Sequence, residues 1–236
     1  MQARDTTDTT AVVRTEGLGR RFGRHWALAH VDLEVRSGEA LLLAGHNGSG
    51  KTTLLRCVSG LYRPSAGSIE VLGKDPRKEV LTCRREMTLV SHHAFLYDRM
   101  TALEILRFWA DQAGSDLTPS DLSDLMSEVE LDGFAHQQVG GFSAGMRKRL
   151  TLLRTRLEDP KLVLWDEPFS SLDAAGRRLL ADWVIEFRQR GITLMLATHA
   201  LDVGVELCTR AVVLSAGQVS WKGPTSGVID QLGGLP

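Results

Sequence analysis

Cysteine is scarce. Cys57, Cys83 and Cys208 are the only three, they lie far apart, and no C-x-x-C pair occurs. Such a set gives neither a disulfide framework nor a zinc site, and reads as core or incidental thiols in a reducing compartment. A charge excess is also missing. The formal net charge of -1 supplies no overall basic field, so nucleic acid is not an expected partner. No stretch reaches the roughly 18 uncharged apolar residues that a membrane-spanning helix needs. The polar start, residues 1–10, does not resemble a secretion signal, so the chain is expected in the cytoplasm. There is no internal repeat, and the only biased tract is the Thr/Asp-rich opening, which reads as a disordered lead.

What is present is an ordinary globular composition. With 236 residues, 43% hydrophobic and 24% charged, the chain can bury the core of one domain carrying a subdomain insert. Val31-Asp32-Leu33-Glu34-Val35 alternates, as a half-buried strand on an antiparallel edge does, whereas Ala40-Leu41-Leu42-Leu43-Ala44 has no polar face and suits a buried parallel strand. Residues 67–73 and 87–91 add two more strands. From about Thr101 to Arg156 helical spacing takes over, with Leu103, Leu106 and Ala110 on one face and Leu122, Leu125, Met126 and Val129 on another. Thr118-Pro119 reads as an N-cap followed by proline at the first helical position. Strands return at 162–165, 192–197 and 211–214, around a helix face of Leu179, Leu180, Trp183, Val184 and Phe187. The pattern predicts an α/β fold with a mixed sheet: a core over 11–91 and 158–236, and a helical subdomain over about 92–157.

Between the apolar strand and Leu54-Leu55 lies Gly45-His46-Asn47-Gly48-Ser49-Gly50-Lys51-Thr52-Thr53. Glycines let successive backbone N–H groups turn towards one anion, and the helix that follows adds its positive end. In such a P-loop Lys51 reaches the β- and γ-phosphates and the Thr52 hydroxyl ligates Mg²⁺. A second apolar run ends in Asp166-Glu167-Pro168. Two carboxylates at a strand end suit nucleotide chemistry: Asp166 for Mg²⁺, directly or through water, and Glu167 to orient and deprotonate an attacking water. A third run ends in Thr198-His199. Alone, a strand-end histidine is more often structural.

Together these residues resemble the ATP-binding subunit of an ABC transporter. The P-loop, then Phe142-Ser143-Ala144-Gly145-Met146, then Leu164-Trp165-Asp166-Glu167-Pro168, Ser171-Leu172-Asp173 and Thr198-His199 stand in that family's order and at its separations. The resemblance implies that Ser143, Ala144 and Gly145 form the signature that meets the γ-phosphate of ATP bound on a second protomer. It implies further that Asp173 lies in the loop crossing between protomers, that His199 is the switch at the γ-phosphate, and that Phe22 stacks on adenine. It departs from the family at two points. The signature reads FSAGM rather than LSGGQ, and His92 occupies the place of a glutamine that usually links the metal site to the membrane subunit.

The stretch 89–106, with His92 in that place, is similar to the haem-exporter ATPase of the cytochrome c maturation system. The resemblance implies an ATPase that dimerises around two ATP–Mg²⁺ and drives a separate integral membrane permease, held on the inner face of the membrane through it. Coupling would run through the groove near His92 and Tyr97 between core and insert. A cytoplasmic ATPase has no need to hold its cargo, so haem ligation by His92 or His93 is not expected. The alternatives are an ABC exporter with another cargo, a soluble ABC protein acting on DNA or ribosomes, and a P-loop phosphotransferase. Coiled-coil insertions and basic surfaces, which would mark the soluble class, are missing here.

Overall fold

The computed structural model describes residues 10–91 and 96–233. The chain enters on β1 (Ala11–Phe22) and β2 (His25–Arg36), a hairpin whose alternation buries Val31, Leu33 and Val35 and turns Asp32 and Glu34 outwards. β3 (Ala40–Ala44) follows, buried throughout, and leads through the glycine loop into α1 (Lys51–Val58). β4 (Ala66–Val71) returns to pair antiparallel with β1, closing a three-stranded sheet of order β2-β1-β4. Then come α2 (Val80–Arg85) and β5 (Met87–Val90).

Among the described residues, four α-helices fill the next stretch: α3 (Ala102–Ala113), α4 (Pro119–Glu128), α5 (Ala144–Leu152) and α6 (Arg154–Glu158). The first two begin with capping boxes, Thr101 with Glu104 and Thr118 with Asp121, and Pro119 stands at the first turn of α4, where its missing N–H costs nothing. β6 (Leu162–Asp166), α7 (Ala174–Gln189), β7 (Thr193–Ala197), α8 (Leu201–Leu207), β8 (Arg210–Ser215), β9 (Gln218–Pro224) and α9 (Val228–Gly233) complete the chain. The larger sheet has the order β5-β6-β7-β3-β8-β9, parallel except for β9. This is an α/β fold with a mixed sheet and a helical section.

β3 has no polar face because both of its faces are covered. Leu41 and Leu43 pack into one cluster with Val31, Val35, Leu54 and Leu55, while Leu42 and Ala44 pack into the other with Trp165, Val184 and Leu194. The alternating segment 31–35 therefore belongs to the small covering sheet and not to the edge of the main one. The antiparallel edge of the main sheet is β9, which the sequence reading passed over. α6 clamps the helical section to the core. Arg156 pairs with Glu128 of α4 and Glu186 of α7, each at 2.6 Å, and its guanidinium lies 4.6 Å from the centre of the Trp183 ring. All three cysteines are buried, and burial pushes the Cys57 and Cys208 thiols up to about 12.

Candidate active site

Three neighbouring parallel strands end at one level. Leu43 of β3 and Asp166 of β6 both pair with Ala197 of β7, so the segments leaving these strands open onto one side of the sheet. The glycine loop leaves β3 with Gly45, Gly48 and Gly50 at φ 138°, 80° and 111°, a region that side chains rarely adopt. At Gly45 a Cβ would fall 2.3 Å from the Leu214 carbonyl oxygen, so the loop lies directly on the end of β8. Inside the loop, Lys51 is buried and its Nζ donates to the carbonyls of Gly45 (2.7 Å) and His46 (3.1 Å). Burial lowers its pKa, opposed by the nearby Glu167 and Asp166 carboxylates. The Ser49 hydroxyl is also buried, with no hydrogen-bond partner among the described residues.

A cleft of about 430 Å³ opens over this loop, lined by Asn47 to Thr53 together with Arg56, Asp166, Glu167 and His199. Across it the Thr52 hydroxyl donates to Asp166 Oδ1 at 3.0 Å. An alcohol and a carboxylate so placed are the hard oxygen donors that Mg²⁺ takes beside phosphates. Glu167 turns into the same cleft. Its Oε2 lies 2.8 Å from His199 Nδ1 and accepts from Thr198 Oγ1 (3.2 Å) and the His199 N–H (3.3 Å). The geometry thus fits a polyphosphate with its Mg²⁺: backbone N–H groups and an ammonium on one side, metal donors and an oriented carboxylate on the other.

Ser143, Ala144, Gly145 and Asp173 are elsewhere. A separate cleft of about 270 Å³ is lined by Ser143, Gly145, Met146, Arg149, Ser171 and Asp173, with Glu130 and Leu131, and it shares no lining residue with the first. Ser143 caps α5, its Oγ accepting the Met146 N–H at 3.2 Å, and Ala144 is the first residue of that helix. Asp173 caps α7. The Gly176 N–H (2.8 Å) and Arg149 hold its carboxyl below the usual carboxylate range. Phe22, 42% exposed, does not line the first cleft. It meets Tyr62 edge-on at 5.3 Å under the Arg20 guanidinium, 4.5 Å from its ring centre. His92 lies outside the described residues.

Residues 28–170 match the family model described as ABC transporter. The chain belongs to the ABC transporter family. Among ABC relatives, the sulfate/thiosulfate import ATP-binding protein CysA 2 of Rhizobium meliloti is 36% identical over 225 residues, covering 92% of this chain and 61% of that protein. The uncharacterised ABC transporter ATP-binding protein YxlF of Bacillus subtilis is 33% identical over 210 residues, covering 88% and 69%. The chain thus spans less than two thirds of the length of the CysA proteins, 61% here and 65% for CysA 1 of Agrobacterium fabrum. A solved structure of the ATP-binding subunit of an ABC transporter superposes with a TM-score of 0.84 at 28% identity, over 94% of this chain and 93% of that one. A dimeric ATP-binding cassette bound to ADP and Pi shares the fold, with a TM-score of 0.81 at 22% identity, over 90% and 98%.

The sequence reading missed one polar residue of this ABC core. Lys148 is buried beneath the Asp166-Glu167 loop, and burial lowers its pKa to about 8, although Asp166 and Glu167 pull it upwards. A lysine in a helix normally reads as surface, so composition gave no signal. Because the folded pKa lies below the ordinary lysine value of 10.5, the folded chain binds fewer protons than the unfolded one between about pH 8 and that value. Stability from this group therefore rises with pH across that window. Urea unfolding of the parent and of Lys148→Met at pH 8 and pH 10 is expected to show the parent gaining on the variant by up to roughly 1.4 kcal/mol per pH unit. A pH-independent difference would contradict this burial cost.

Proposed function

We propose that this chain is the ATP-hydrolysing subunit of an ABC transporter, closing as a dimer around two ATP–Mg²⁺ and driving a separate integral membrane permease. The observation that carries the reading is the division into two clefts. The P-loop, Asp166, Glu167 and His199 line one, while Ser143, Gly145 and Asp173 line another with no residue in common. A second copy facing the first would complete each nucleotide site with the residues that a single chain holds apart.

In that complex the loop N–H groups and Lys51 would bind the β- and γ-phosphates. Thr52 and Asp166 would hold Mg²⁺, which when bound neutralises charge on the phosphate oxygens. Glu167 would take the proton of the attacking water, its orientation fixed by Thr198 and His199, and His199 would also face the γ-phosphate. Phe22 would meet adenine only after its contact with Arg20 or Tyr62 rearranged. ATP binding would close the dimer and hydrolysis would release it.

Among the described residues no helix is long and apolar enough to cross a membrane, which fits a subunit held at the inner face through its permease. Tyr97, 62% exposed, and Phe108 form an edge-on pair at 6.2 Å that supports contact with the permease near His92. Two cargo readings rest on different observations. The likeness over 89–106 supports haem export in cytochrome c maturation, with neither His92 nor His93 holding haem. The likeness to the sulfate/thiosulfate import proteins, over 92% of the chain, supports import of those anions.

Purification from native membranes, followed by identification of the integral protein retained, tests the assignment. A cytochrome-maturation permease supports the first cargo and a sulfate permease the second. ATP turnover stimulated by nucleic acid but not by any permease would refute the transporter reading.

A further inference from the structure

Three successive cations, Arg147, Lys148 and Arg149, leave one turn of α5, each rotated about 100° from the last. Two of them reach exposed carboxylates. Arg147 pairs with Asp98 at 2.8 Å, and Arg149 with Asp173 at 2.8 Å and with Glu130. Ion pairs with such exposed partners contribute little to stability. Lys148 differs from both. It is 5% exposed, and its Nζ donates to the main-chain carbonyl of Glu167 at 3.0 Å. Keeping an ammonium buried for a carbonyl contact costs desolvation that an apolar side chain of similar length would avoid.

The residue it holds is itself unusual. Glu167 has φ 53°, a left-handed conformation that is strained for a non-glycine residue and persists only where the surroundings impose it. They do so from both sides of the residue. The Glu167 N–H donates to the Ala197 carbonyl at 2.8 Å, and the Glu167 carbonyl accepts from Ser170 Oγ (2.8 Å) and the Ser170 N–H (3.3 Å) as well as from Lys148. Ser170 belongs to the same loop and moves with it. Lys148 comes from another element, the helix whose capping Ser143 and Gly145 line the second cleft. That helix approaches the loop so closely that a Cβ at Gly145 would fall 2.8 Å from the Ser171 carbonyl oxygen.

We propose that Lys148 is a positioning residue for hydrolysis: it fixes the Glu167 backbone from which the carboxylate enters the P-loop cleft, and so makes that carboxylate answer to the placement of α5. This rests on the reading of Glu167 as the base. A shift of α5 when the second cleft meets its nucleotide would be carried by Lys148 to the Glu167 peptide in the same chain. Within the dimer, each chain's signature would then tune its own hydrolytic group, and the two composite sites would not act independently.

The test is steady-state ATP turnover by parent, Lys148→Met and Lys148→Gln, each alone and combined with Glu167→Gln, with thermal melting alongside. Lys148→Met keeps length and apolar packing but has no donor, whereas the Lys148→Gln amide can still donate. In Lys148→Met we expect kcat to fall at least about tenfold, KM for ATP to stay within about twofold, and the melting temperature not to drop. Lys148→Gln should recover to within about threefold of the parent, and adding Lys148→Met to Glu167→Gln should bring no further loss. Turnover by Lys148→Met within about twofold of the parent would overturn the proposal, as would a loss that Lys148→Gln fails to rescue or one fully additive with Glu167→Gln. The base assignment is read separately. It fails if Glu167→Gln alone turns over ATP at the parent rate, whatever the Lys148 variants do.

Discussion

Glu167→Gln is expected to bind ATP as the parent does and to hydrolyse it about two to three orders of magnitude more slowly. The amide has nearly the shape of the carboxylate and can still accept from His199 and Thr198, the partners that orient Glu167. What it lacks is basicity, so the attacking water keeps its proton. With hydrolysis blocked and binding intact, ATP–Mg²⁺ should hold two copies together, visible as a dimer in size-exclusion chromatography. A persistent monomer with ATP–Mg²⁺ would count against the shared-site arrangement, and parent-like turnover would remove Glu167 from the chemistry. Lys51→Ala acts earlier: without the ammonium that crosses the loop, nucleotide binding itself should weaken.

Mixing two inactive variants should restore activity. Lys51→Ala damages the first cleft of a chain, and Ser143→Arg the second, which lies apart from it. In either homodimer both composite sites carry a fault. In a heterodimer, one site collects both faults and the other collects none. Random pairing puts about half of the dimers in the mixed form, so a mixture should recover up to roughly a quarter of the parent turnover if an intact site works alone, against near-zero for each variant by itself. No recovery, with heterodimers shown by tagged co-purification, would mean either that the two clefts serve one chain or that both sites must fire together. Where activity does recover, adding Glu167→Gln to the Ser143→Arg chain identifies its source. Its base would then lie in the otherwise intact site, and any recovered activity should disappear.

Much of this was legible in the sequence because glycine spacing and strand burial are local signals. The run Leu41-Leu42-Leu43 announced a strand covered on both faces, and the glycines at 45, 48 and 50 announced a loop whose backbone angles side chains rarely adopt. The division into two sheets was not legible, since alternation over 31–35 reports half-burial and not which sheet a strand joins. β9 escaped for a related reason: its residues alternate between exposed and half-buried, with no buried side to mark a core-facing strand. Nor did the sequence reveal that Tyr62 already engages Phe22, because that contact joins segments far apart in the chain. Lys148 was invisible for a different reason. α5 buries Lys148, Thr151 and Leu152 on one face, with Leu150 beside them, but two of that face's three residues are polar and leave no apolar stripe to read.

The buried thiols have a practical consequence. Only the thiolate reacts readily with maleimides and iodoacetamides, and burial holds Cys57, Cys83 and Cys208 in the protonated form while screening them from reagent. The native chain is therefore already a quiet background for labelling, with no cysteine to remove first. One cysteine introduced at an exposed site such as Asp182, which lines neither cleft, would carry one probe per copy. The distance between two such probes would then report the approach of the copies directly, in solution and through a full cycle of nucleotide addition and turnover.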